Sequence, residues 1–520
     1  TNTFSGGAFV FGRHHSMNAI GFFQRAENGG LGRDDGLKRA QTGGTIGGPI
    51  LRDRLFFFAG VQITNTRIAP LETNNFVPTA EVRNGDFSRI MSPACRNRTT
   101  NLTLGFPFVN NRVDPALFDP ISRKVMNLLP LPDPALDPDG CGRYVAAIPD
   151  DSDEQQYIGR IDYNATADHR LFGRGFYSKY AHAPLFDINT NPNLIFASGS
   201  GLGNDAVMRT FAGGWDWVVS SNLFSSMRFS LQSTSTARVQ GPGLPTYAEL
   251  GVNTWQYTTR PGQNFMRNGN AGWSANGLTG TFDVLTPSIS QDFDWIKGSH
   301  SVSFGGSWTR PNSIGDGTFQ SNGQFTFSGI FTSGTNNANG GLNMADWILG
   351  YASAFQQGGS QLNDQILNSV GMYVQDVWRV NNRLTLNTGV RWEPFLTAVD
   401  QNGYNAAFVR ERFDQGLRST TYPNAPAGLV FPGDAGFEYL AEGKNHRNQW
   451  NQWAPRFGLV WDPRGDTMQT VRVGIGHYFD APKLWTYAHH VLNSPYGLTA
   501  NAVRGSAASC HTAATRNGCP

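Results

Sequence analysis

The sequence predicts an all-β protein whose strands are joined as antiparallel hairpins. Three observations indicate this fold class. Charged residues make up 15% of the 520 residues and aromatic residues 12%, and glycine accounts for 61 of the 520, roughly 12%. Soluble domains typically carry about 25% charged residues and about 7% glycine. Segments of roughly 8 to 11 residues alternate apolar and polar side chains with the period of a strand. Short polar turns join these segments in pairs.

The predicted strands follow one another along the whole chain. A single strand, residues 3–13, comes first, and six hairpins follow it. Their turns are rich in Asn, Asp, Gly and Ser, the residues that favour turns. The hairpins lie in residues 44–64, 156–178, 210–233, 290–309, 368–394 and 454–480, with turns at Arg52–Arg54, Ser220–Asn222, Lys297–Ser299, Asn381–Asn382 and Asp462–Asp466 among them. The sequence therefore predicts thirteen strands.

The first hairpin contains the stretch GGTIGGPILRDRLFFFAG, residues 43–60, whose glycines invite comparison with a phosphate-binding loop. Such a loop needs a lysine after its last glycine, or a G-x-G-x-x-G pattern, and a helix behind it. Here a proline follows the glycines, and the run Leu55–Phe58 has no helical periodicity. We interpret the stretch as strand, polar turn and return strand, in which glycine marks a bend or a close approach of another backbone.

The connections between strands indicate where the apolar rows point. No segment approaches the ~18 apolar residues of a transmembrane helix. The apolar rows could face an interior core or lipid, and their pattern alone does not separate the two. Connections are about 3 to 7 residues within hairpins and about 30 to 90 between them, which is typical of a transmembrane β-barrel with short periplasmic turns and long external loops. Aromatic residues near strand ends indicate an interfacial girdle or ordinary packing: Trp295, Trp378, Trp392, Trp461 and Tyr478.

The sequence offers no chemistry of an enzyme. The net charge of +2 and the pI near 8.3 argue against a nucleic-acid binder. The motifs G-x-S-x-G, H-E-x-x-H and C-x-x-C do not occur, so no residue is assigned a catalytic, cofactor-binding or metal-binding role. Four cysteines fall in two local pairs, Cys95 with Cys141 and Cys510 with Cys519. They are either loop disulfides of an oxidising compartment or free thiols.

The acidic and histidine clusters could bind metal ions or could be ordinary loop residues. The run Asp150–Glu154 could bind calcium, but it lacks the Asp/Asn and glycine spacing of a calcium loop, which favours a solvated loop edge. His14 and His15 are adjacent, as are His489 and His490. Neighbours on a strand point to opposite faces, which favours loop histidines over a metal site.

Two further features have open alternatives. The stretch NMADWILG, Asn343–Gly350, predicts a short helix in a long loop, either a lid on a pore or simple loop packing. Asp162, Asp216 and Asp376 lie on predicted strands and are expected to face a lumen and line a wet channel.

Eight segments, in the same order along the chain, resemble the barrel of TonB-dependent outer-membrane receptors, specifically the Oar-like group. They reach to about residue 480 and are specific together, although no single segment is. They are TNTFSGGAFVFGRHHSMNAIGFF (1–23), GGTIGGPILRDRLFFFAG (43–60), VPTAEVRNGDFS (77–88), DPISRKVMNLLPLPDP (119–134), YIGRIDYNATADHRLFGR (157–174), MADWILG (344–350), YVQDVWRVNNRLTLNTGVRWEP (373–394) and APRFGLVWDPRGDTMQTVRVGIGHYFD (454–480).

The resemblance implies a barrel of about 22 strands with an N-terminal plug in its lumen. Residues 1–520 would then be a partial barrel, with an exit from a missing plug (1–5), a long external loop (66–155) and a truncated loop region (481–520). Gly43, Gly44, Gly47 and Gly48 would leave room for the plug on an early strand. Either Phe56 and Phe58, or Phe57 alone, would face lipid, depending on register.

The resemblance also implies a function in the outer membrane of a Gram-negative bacterium. We expect a receptor that binds a large solute at the cell surface and imports it with inner-membrane energy. The TonB–ExbB–ExbD complex would act through the missing N-terminal part, and the ligand could be a siderophore, oligosaccharide, peptide or protein. The alternative is a surface adhesion or protein-export receptor on the same scaffold. A soluble all-β enzyme or lectin is disfavoured by the alternation of connection lengths.

Overall fold

The structure is a computed structural model. It describes residues 2–22, 25, 36–68, 73–96, 102–146, 150–190, 194, 202–254, 265–267, 274–275, 279–317, 323–333, 341–358, 361–466, 468–480, 484–488, 494–497 and 500–503.

Strands dominate the described part of the chain. In chain order they are β1 (Ser5–His14), β2 (Lys38–Leu51), β3 (Leu55–Ile68), β4 (Thr73–Phe76), β5 (Arg143–Ala146), β6 (Asp150–Asn164), β7 (His169–His182), β8 (Gly203–Ser220), β9 (Leu223–Val239), β10 (Phe265–Arg267), β11 (Ser274–Ala275), β12 (Gly280–Lys297), β13 (His300–Thr309), β14 (Asn312–Gly317), β15 (Gln324–Thr326), β16 (Ala354–Gln357), β17 (Gln361–Ile366), β18 (Ser369–Asn381), β19 (Leu384–Trp392), β20 (Val399–Asp400), β21 (Ala407–Phe408), β22 (Leu429–Val430), β23 (Trp453–Trp461), β24 (Val471–Gly476) and β25 (Ala500–Val503).

The helices are short. They are α1 (Ala80–Arg83), α2 (Pro93–Arg96), α3 (Pro120–Met126), α4 (Tyr247–Leu250), α5 (Asn343–Ile348), α6 (Arg410–Asp414), α7 (Glu438–Ala441) and α8 (Leu484–Ala488). Within the described residues, none of them has the length and apolar character that crossing a membrane would require.

One sheet has sixteen strands. Three of them, β14, β17 and β20, branch from β12, and the other thirteen form an antiparallel path, which we call the wall. Its order in space follows the order in the chain: β1-β2-β3-β6-β7-β8-β9-β12-β13-β18-β19-β23-β24. The predicted leading strand and six hairpins are confirmed. In the described residues β1 pairs only with β2, and β24 only with β23, so the wall is an open sheet.

Several wall strands are longer than the sequence predicts. β8 and β12 each have 18 residues, against the roughly 8 to 11 needed to cross a bilayer at a tilt. The extra length lies at the ends away from the short turns, for example at Ser233–Ala237 of β9. Small and polar residues occupy both faces there, so the apolar alternation that marks a strand in the sequence is absent.

The register gives the wall two distinct faces. Phe57 lies opposite Ile161, and the next pair, Phe58 and Arg160, lies on the other side of the sheet. We call the two sides the apolar face and the polar face. The apolar face carries, among others, Tyr157, Trp215, Phe229, Phe304, Val374, Trp392 and Phe457. The polar face carries Arg160, Asp162, Asp216, Arg228, Asp292, Gln375 and Arg391. Phe57 is therefore on the apolar face, and Phe56 and Phe58 are on the polar face.

Segments from four of the long connections share one hydrophobic core, and we call them the cap. They are residues 73–96 and 102–146 between β3 and β6, 183–190 with 194 between β7 and β8, 240–254 after β9, and 323–333 with 341–351 after β13. The core includes Val82, Phe87, Met91, Val125, Phe186, Leu194, Leu244, Tyr247, Phe331, Trp347 and Ile348. Residues 393–452, between β19 and β23, have buried apolar residues of their own, Ala398, Val430, Phe431 and Leu440, and they join the sheet where β20 pairs with β17.

Candidate functional site

The centre of the cap is the short helix α5. All of its residues from Met344 to Ile348 are buried, and Trp347 is 1% exposed. The stretch NMADWILG thus forms the predicted helix, and its position in a shared core favours loop packing over a free lid.

Helix α3 is fastened to α5 across the cap. The Ser122 hydroxyl donates to the Trp347 carbonyl at 2.6 Å, and the Asp119 N–H donates to the Ile348 carbonyl at 2.8 Å. The Asp119 carboxylate also caps α3, because it accepts from the backbone N–H of Ile121 and Ser122. The segments 119–134 and 344–350, which carry part of the resemblance, therefore meet in space.

Helix α1 attaches the segment 77–88 to the same core. The Arg83 guanidinium donates to the carbonyl oxygens of Leu129 and Pro130, both at 2.9 Å. Burial lowers the pKa of Arg83. The Phe87 ring meets the Phe108 ring edge-on, with 5.1 Å between their centroids. The segments 77–88, 119–134 and 344–350 thus pack into one hydrophobic core, and no pattern in the sequence revealed this contact.

Asp346 is the buried acid of the cap. It is 0% exposed, and its carboxylate accepts from Thr332 N at 2.9 Å and Thr332 Oγ1 at 2.7 Å, and from Phe331 N at 3.3 Å. Burial raises its pKa to about 6, and these hydrogen bonds oppose the rise. The described part of the chain supplies no cation to pair with it. Asp346 therefore holds the loop 331–332 on α5 with a carboxylate that titrates near neutral pH.

A disulfide closes the first cap segment. Cys95 and Cys141 are bonded, which confirms the disulfide interpretation for this pair. Cys510 and Cys519 lie outside the described residues, and that pairing stays a prediction.

An aromatic ring between two ion pairs marks the polar face near the short turns. Arg160 binds Asp162 through two nitrogens, at 2.8 and 2.6 Å, and Arg228 binds Asp216 at 2.6 Å. Phe172 lies between them, with guanidinium carbons 4.2 and 5.3 Å from its centroid. Such cation–π contacts hold guanidinium groups in place. Asp162 and Asp216 face the polar side as expected, but each is committed to an arginine.

Asp376 contradicts the expectation of a lumen-facing carboxylate. It lies opposite Val302, on the apolar face. Its carboxylate is 2.6 Å from His300 Nδ1, and the His300 ring stacks on Trp378. The site is beside the turn Lys297–Ser299, where this polar pair is close to water rather than in the middle of the apolar band.

The polar face of β18, β19, β23 and β24 forms a groove of about 800 Å³. Tyr373, Gln375, Asn387, Arg391 and Arg456 contribute to its lining. The Tyr373 hydroxyl donates to Asp292 at 2.7 Å. The side chains named here thus offer hydroxyl, amide and guanidinium groups to the groove.

Tyr478 belongs to this groove. Its ring is 4.7 Å from the Arg456 guanidinium carbon, on the polar face, which favours packing over an interfacial girdle for this residue. Trp295, Trp378, Trp392 and Trp461 do lie on the apolar face near strand ends.

Aromatic rings of β1 fill the space above the glycines of β2. A Cβ on Gly43 would be 2.5 Å from Phe9 Cζ, and one on Gly48 would be 2.5 Å from Phe4 Cδ1. Gly43 is on the polar face, and Gly48 is on the apolar face with Phe57. Atoms of the neighbouring strands thus already limit the space at these two glycines, and room for a plug stays a prediction.

The acidic run and the histidines hold no metal cluster. β6 begins at Asp150, so the run is paired strand rather than loop edge, and Arg67 is 2.8 Å from Asp153 and 3.4 Å from Asp151. Within the described ranges there is no group of three or more His, Cys, Asp or Glu side chains suited to a metal ion. His489 and His490 lie outside those ranges.

The wall, its two faces and the folded loops agree with the family comparison. The sequence matches the family described as an outer membrane beta barrel domain over residues 1–520. The chain belongs to this family. Its location is therefore the outer membrane of a Gram-negative bacterium, with the apolar face of the wall against lipid. None of the curated proteins matches the sequence.

Several solved structures are similar to the chain. They include the siderophore receptor PirA from Acinetobacter baumannii, with 11% identity over 93% of this chain and 44% of that one at a TM-score of 0.43. The ferric enterobactin receptor PfeA from Pseudomonas aeruginosa has 12% identity over 86% and 43% at a TM-score of 0.40. The outer membrane transporter YddB from Escherichia coli has 11% identity over 85% and 38% at a TM-score of 0.39. The chain spans less than half the length of each of these structures.

Proposed function

We propose that the protein is a TonB-dependent receptor that captures a large solute at the cell surface and imports it. The observation that carries this proposal is the cap, in which four long connections share one core beside a wall with a polar face. Exposed loops on a rigid barrel commonly bind ligands. A cap with its own core holds its surface side chains in fixed places, which lowers the entropic cost of binding.

The polar face suits passage of a hydrophilic solute. Some of its arginines are paired with carboxylates, as Arg160 is with Asp162 and Arg228 with Asp216, so the face carries charges of both signs. A siderophore, an oligosaccharide, a peptide or a protein segment each offers hydrogen-bonding groups to such a surface. The Oar-like group remains our proposal for the subgroup, and energy from a TonB–ExbB–ExbD complex is part of the same proposal. We expect no enzymatic activity.

Uptake by cells tests the proposal. Cells with the complete gene and cells with a deletion would receive labelled ferric siderophores, maltodextrins or peptides, with and without a protonophore. We expect one solute class to accumulate inside only when the gene is present, and the protonophore to abolish this accumulation. Label that stays on the surface and ignores the protonophore would contradict import and support an adhesion receptor.

Surface labelling tests which end of the wall faces outward. Val109, in the cap, is 72% exposed, whereas Ser221 lies in a short turn between β8 and β9. A membrane-impermeant maleimide should label V109C on intact cells, and S221C only after permeabilisation. The unmodified protein is the control for native cysteines, and the reverse result would invert the orientation.

A further inference from the structure

Two basic side chains on the apolar face have no acidic partner. Lys179 on β7 and Arg209 on β8 are exposed, and neither takes part in an ion pair with another described residue. The Arg209 guanidinium carbon is 5.9 Å from the centroid of the Tyr177 ring. Tyr177 and Phe211 are apolar, whereas Gln155 and Ser233 on the neighbouring strands are polar, so the two cations lie where the apolar row ends.

The register places the two cations next to each other. Tyr177 lies opposite Arg209, and Lys179 lies opposite Val207, so Lys179 and Arg209 are diagonal neighbours. Such neighbours are about 7–8 Å apart, a gap that one phosphate group can bridge between two long side chains. Gln155 lies opposite Lys179 on β6, and Ser233 lies opposite Arg209 on β9. Polar groups therefore flank the two cations on both sides.

Their height on the wall matches a membrane boundary. From the short turn upward, the apolar face of β8 presents Trp217, Trp215, Gly213 and Phe211 before Arg209. Arg209 is eight positions from Trp217 along β8, a distance of about 27 Å along the strand. At the usual tilt this corresponds to about 20 Å along the membrane normal. The tryptophans lie at one edge of the apolar band, and the two cations lie at the opposite edge.

Other charges also lie near this edge. Arg67 is neutralised by Asp151 and Asp153, at 3.4 and 2.8 Å. Asp205 lies opposite Ala181, one alternation farther from the apolar band than Val207. Among the described residues it forms no ion pair with Lys179. Lys38, opposite Arg67 on the same face, also forms no ion pair with a described residue. Lys179 and Arg209 are thus two adjacent unpaired cations near the end of the apolar row.

We propose that Lys179 and Arg209 bind the phosphate group of an anionic lipid in the outer leaflet. This inference relies on the orientation proposed above, with the long connections outside. A lysine ammonium and a forked guanidinium both form strong charge-assisted hydrogen bonds to phosphate oxygens. The apolar row beneath them, ending in Tyr177 and Phe211, would contact the acyl chains of the same lipid.

Lipid retention by the complete gene product tests the inference. The purified protein in detergent would be incubated with diphosphoryl lipid A, and the bound lipid would be counted by native mass spectrometry. We expect K179Q/R209Q to weaken retention about thirtyfold, from roughly a factor of five for each cation. The charge-preserving K179R/R209K should retain the lipid. K297Q is the matched control, because Lys297 is an exposed cation on the same face at the turn end.

Each outcome decides the matter. Equal retention by K179Q/R209Q and the unmodified protein, or equal loss in K297Q, would overturn the site. Undiminished binding of dephosphorylated lipid A would also overturn it, as would stronger binding of inorganic phosphate than of the lipid. A heat-modifiable band for every variant establishes that each one folds. Lipid retention is measured independently of solute uptake, so a failure of the import proposal does not affect it. The maleimide labelling shows whether the orientation is wrong, and lipid retention shows whether the lipid site is wrong.

Discussion

Asp346 should make the stability of the cap depend on pH, and the perturbation is a change from pH 7.5 to pH 5. In the closed cap its pKa is raised from 3.8 to about 6 by burial. In an opened cap the carboxyl would be in water with its ordinary pKa. Because the closed state binds the proton more tightly, this group's stabilisation is fully present below pH 3.8 and is lost as the pH rises through 6.

The magnitude follows from the two pKa values. The difference between 3.8 and about 6 corresponds to about 3 kcal/mol over the whole range, at about 1.4 kcal/mol for each pH unit. Between pH 7.5 and pH 5 the closed cap should gain about 1.4 kcal/mol, because proton uptake by the opened state begins only near pH 4. That gain is about a tenfold rise in the protection of cap amides from exchange.

Hydrogen–deuterium exchange of the complete gene product measures this effect. The amides to follow are those of Asp346, Leu349 and Gly350, which are hydrogen-bonded within the α5 region. Protection factors would be corrected for the intrinsic pH dependence of exchange. D346N keeps the acceptor for Thr332 but cannot titrate, so its protection should be flat between the two pH values.

Asp86 supplies the matched control. Hydrogen bonds from Ser88, and then the interaction with Arg112, lower its pKa, so its stabilisation is lost only as the pH falls below 3.8. D86N should therefore retain the tenfold difference between pH 7.5 and pH 5. A D346N variant with the same pH dependence as the unmodified protein would refute the reasoning, as would an unmodified protein without that dependence.

Two further predictions concern the disulfide and the glycines. The Cys95–Cys141 bond closes a segment with a sequence separation of 46, so C95S/C141S should lose up to about 4 kcal/mol of cap stability. Exchange of cap amides should rise while the temperature of the heat-modifiable gel shift stays constant, and a lowered shift temperature would contradict a separate cap. G43A should lower that temperature, since its Cβ would be 2.5 Å from both Phe9 Cζ and Val61 O, an overpacking worth about 1–3 kcal/mol. G7A, on the same face with nothing within 4 Å, is the control. Equal melting of both variants would contradict the prediction, because it would show that both Phe9 and the backbone at Val61 move aside.

The wall was predictable because its signals are local. A row of alternating side chains and a turn such as Lys297–Ser299 fix a hairpin without knowledge of the rest of the chain. The predicted strand lengths were wrong where the alternation of apolar and polar residues ends. The outer ends of β8 and β9 have no apolar row, and their length was underestimated for that reason.

The faces of single residues were harder to predict, for a different reason. Asp376 was assigned to the lumen by its charge, although it shares a row with Val374 and Trp378. Its partner His300 lies on a neighbouring strand, 76 positions away, and only the register brings the two together. For Tyr478 the sequence left an interfacial girdle and ordinary packing open, and the contact with Arg456 places it on the polar face. The type of a side chain is therefore a weak guide to the face of the wall on which it lies, where a residue on a neighbouring strand can form its ion pair or ring contact.

The cap is the part that local reasoning could not supply, and it changes how the loops are understood. Ser122 and Trp347 are 225 positions apart, and neither segment has an amphipathic pattern long enough to reveal its partner. Once α3 and α5 are joined, the four connections cannot move independently, because motion of one breaks the core shared by all. A ligand that binds any cap segment therefore acts on the whole cap. Opening must either move the cap as one body relative to the wall or first break the contacts around α5. The Asp346 carboxylate lies among those contacts, so exchange at α5 distinguishes the two routes: it stays slow in the first and speeds up with ligand in the second.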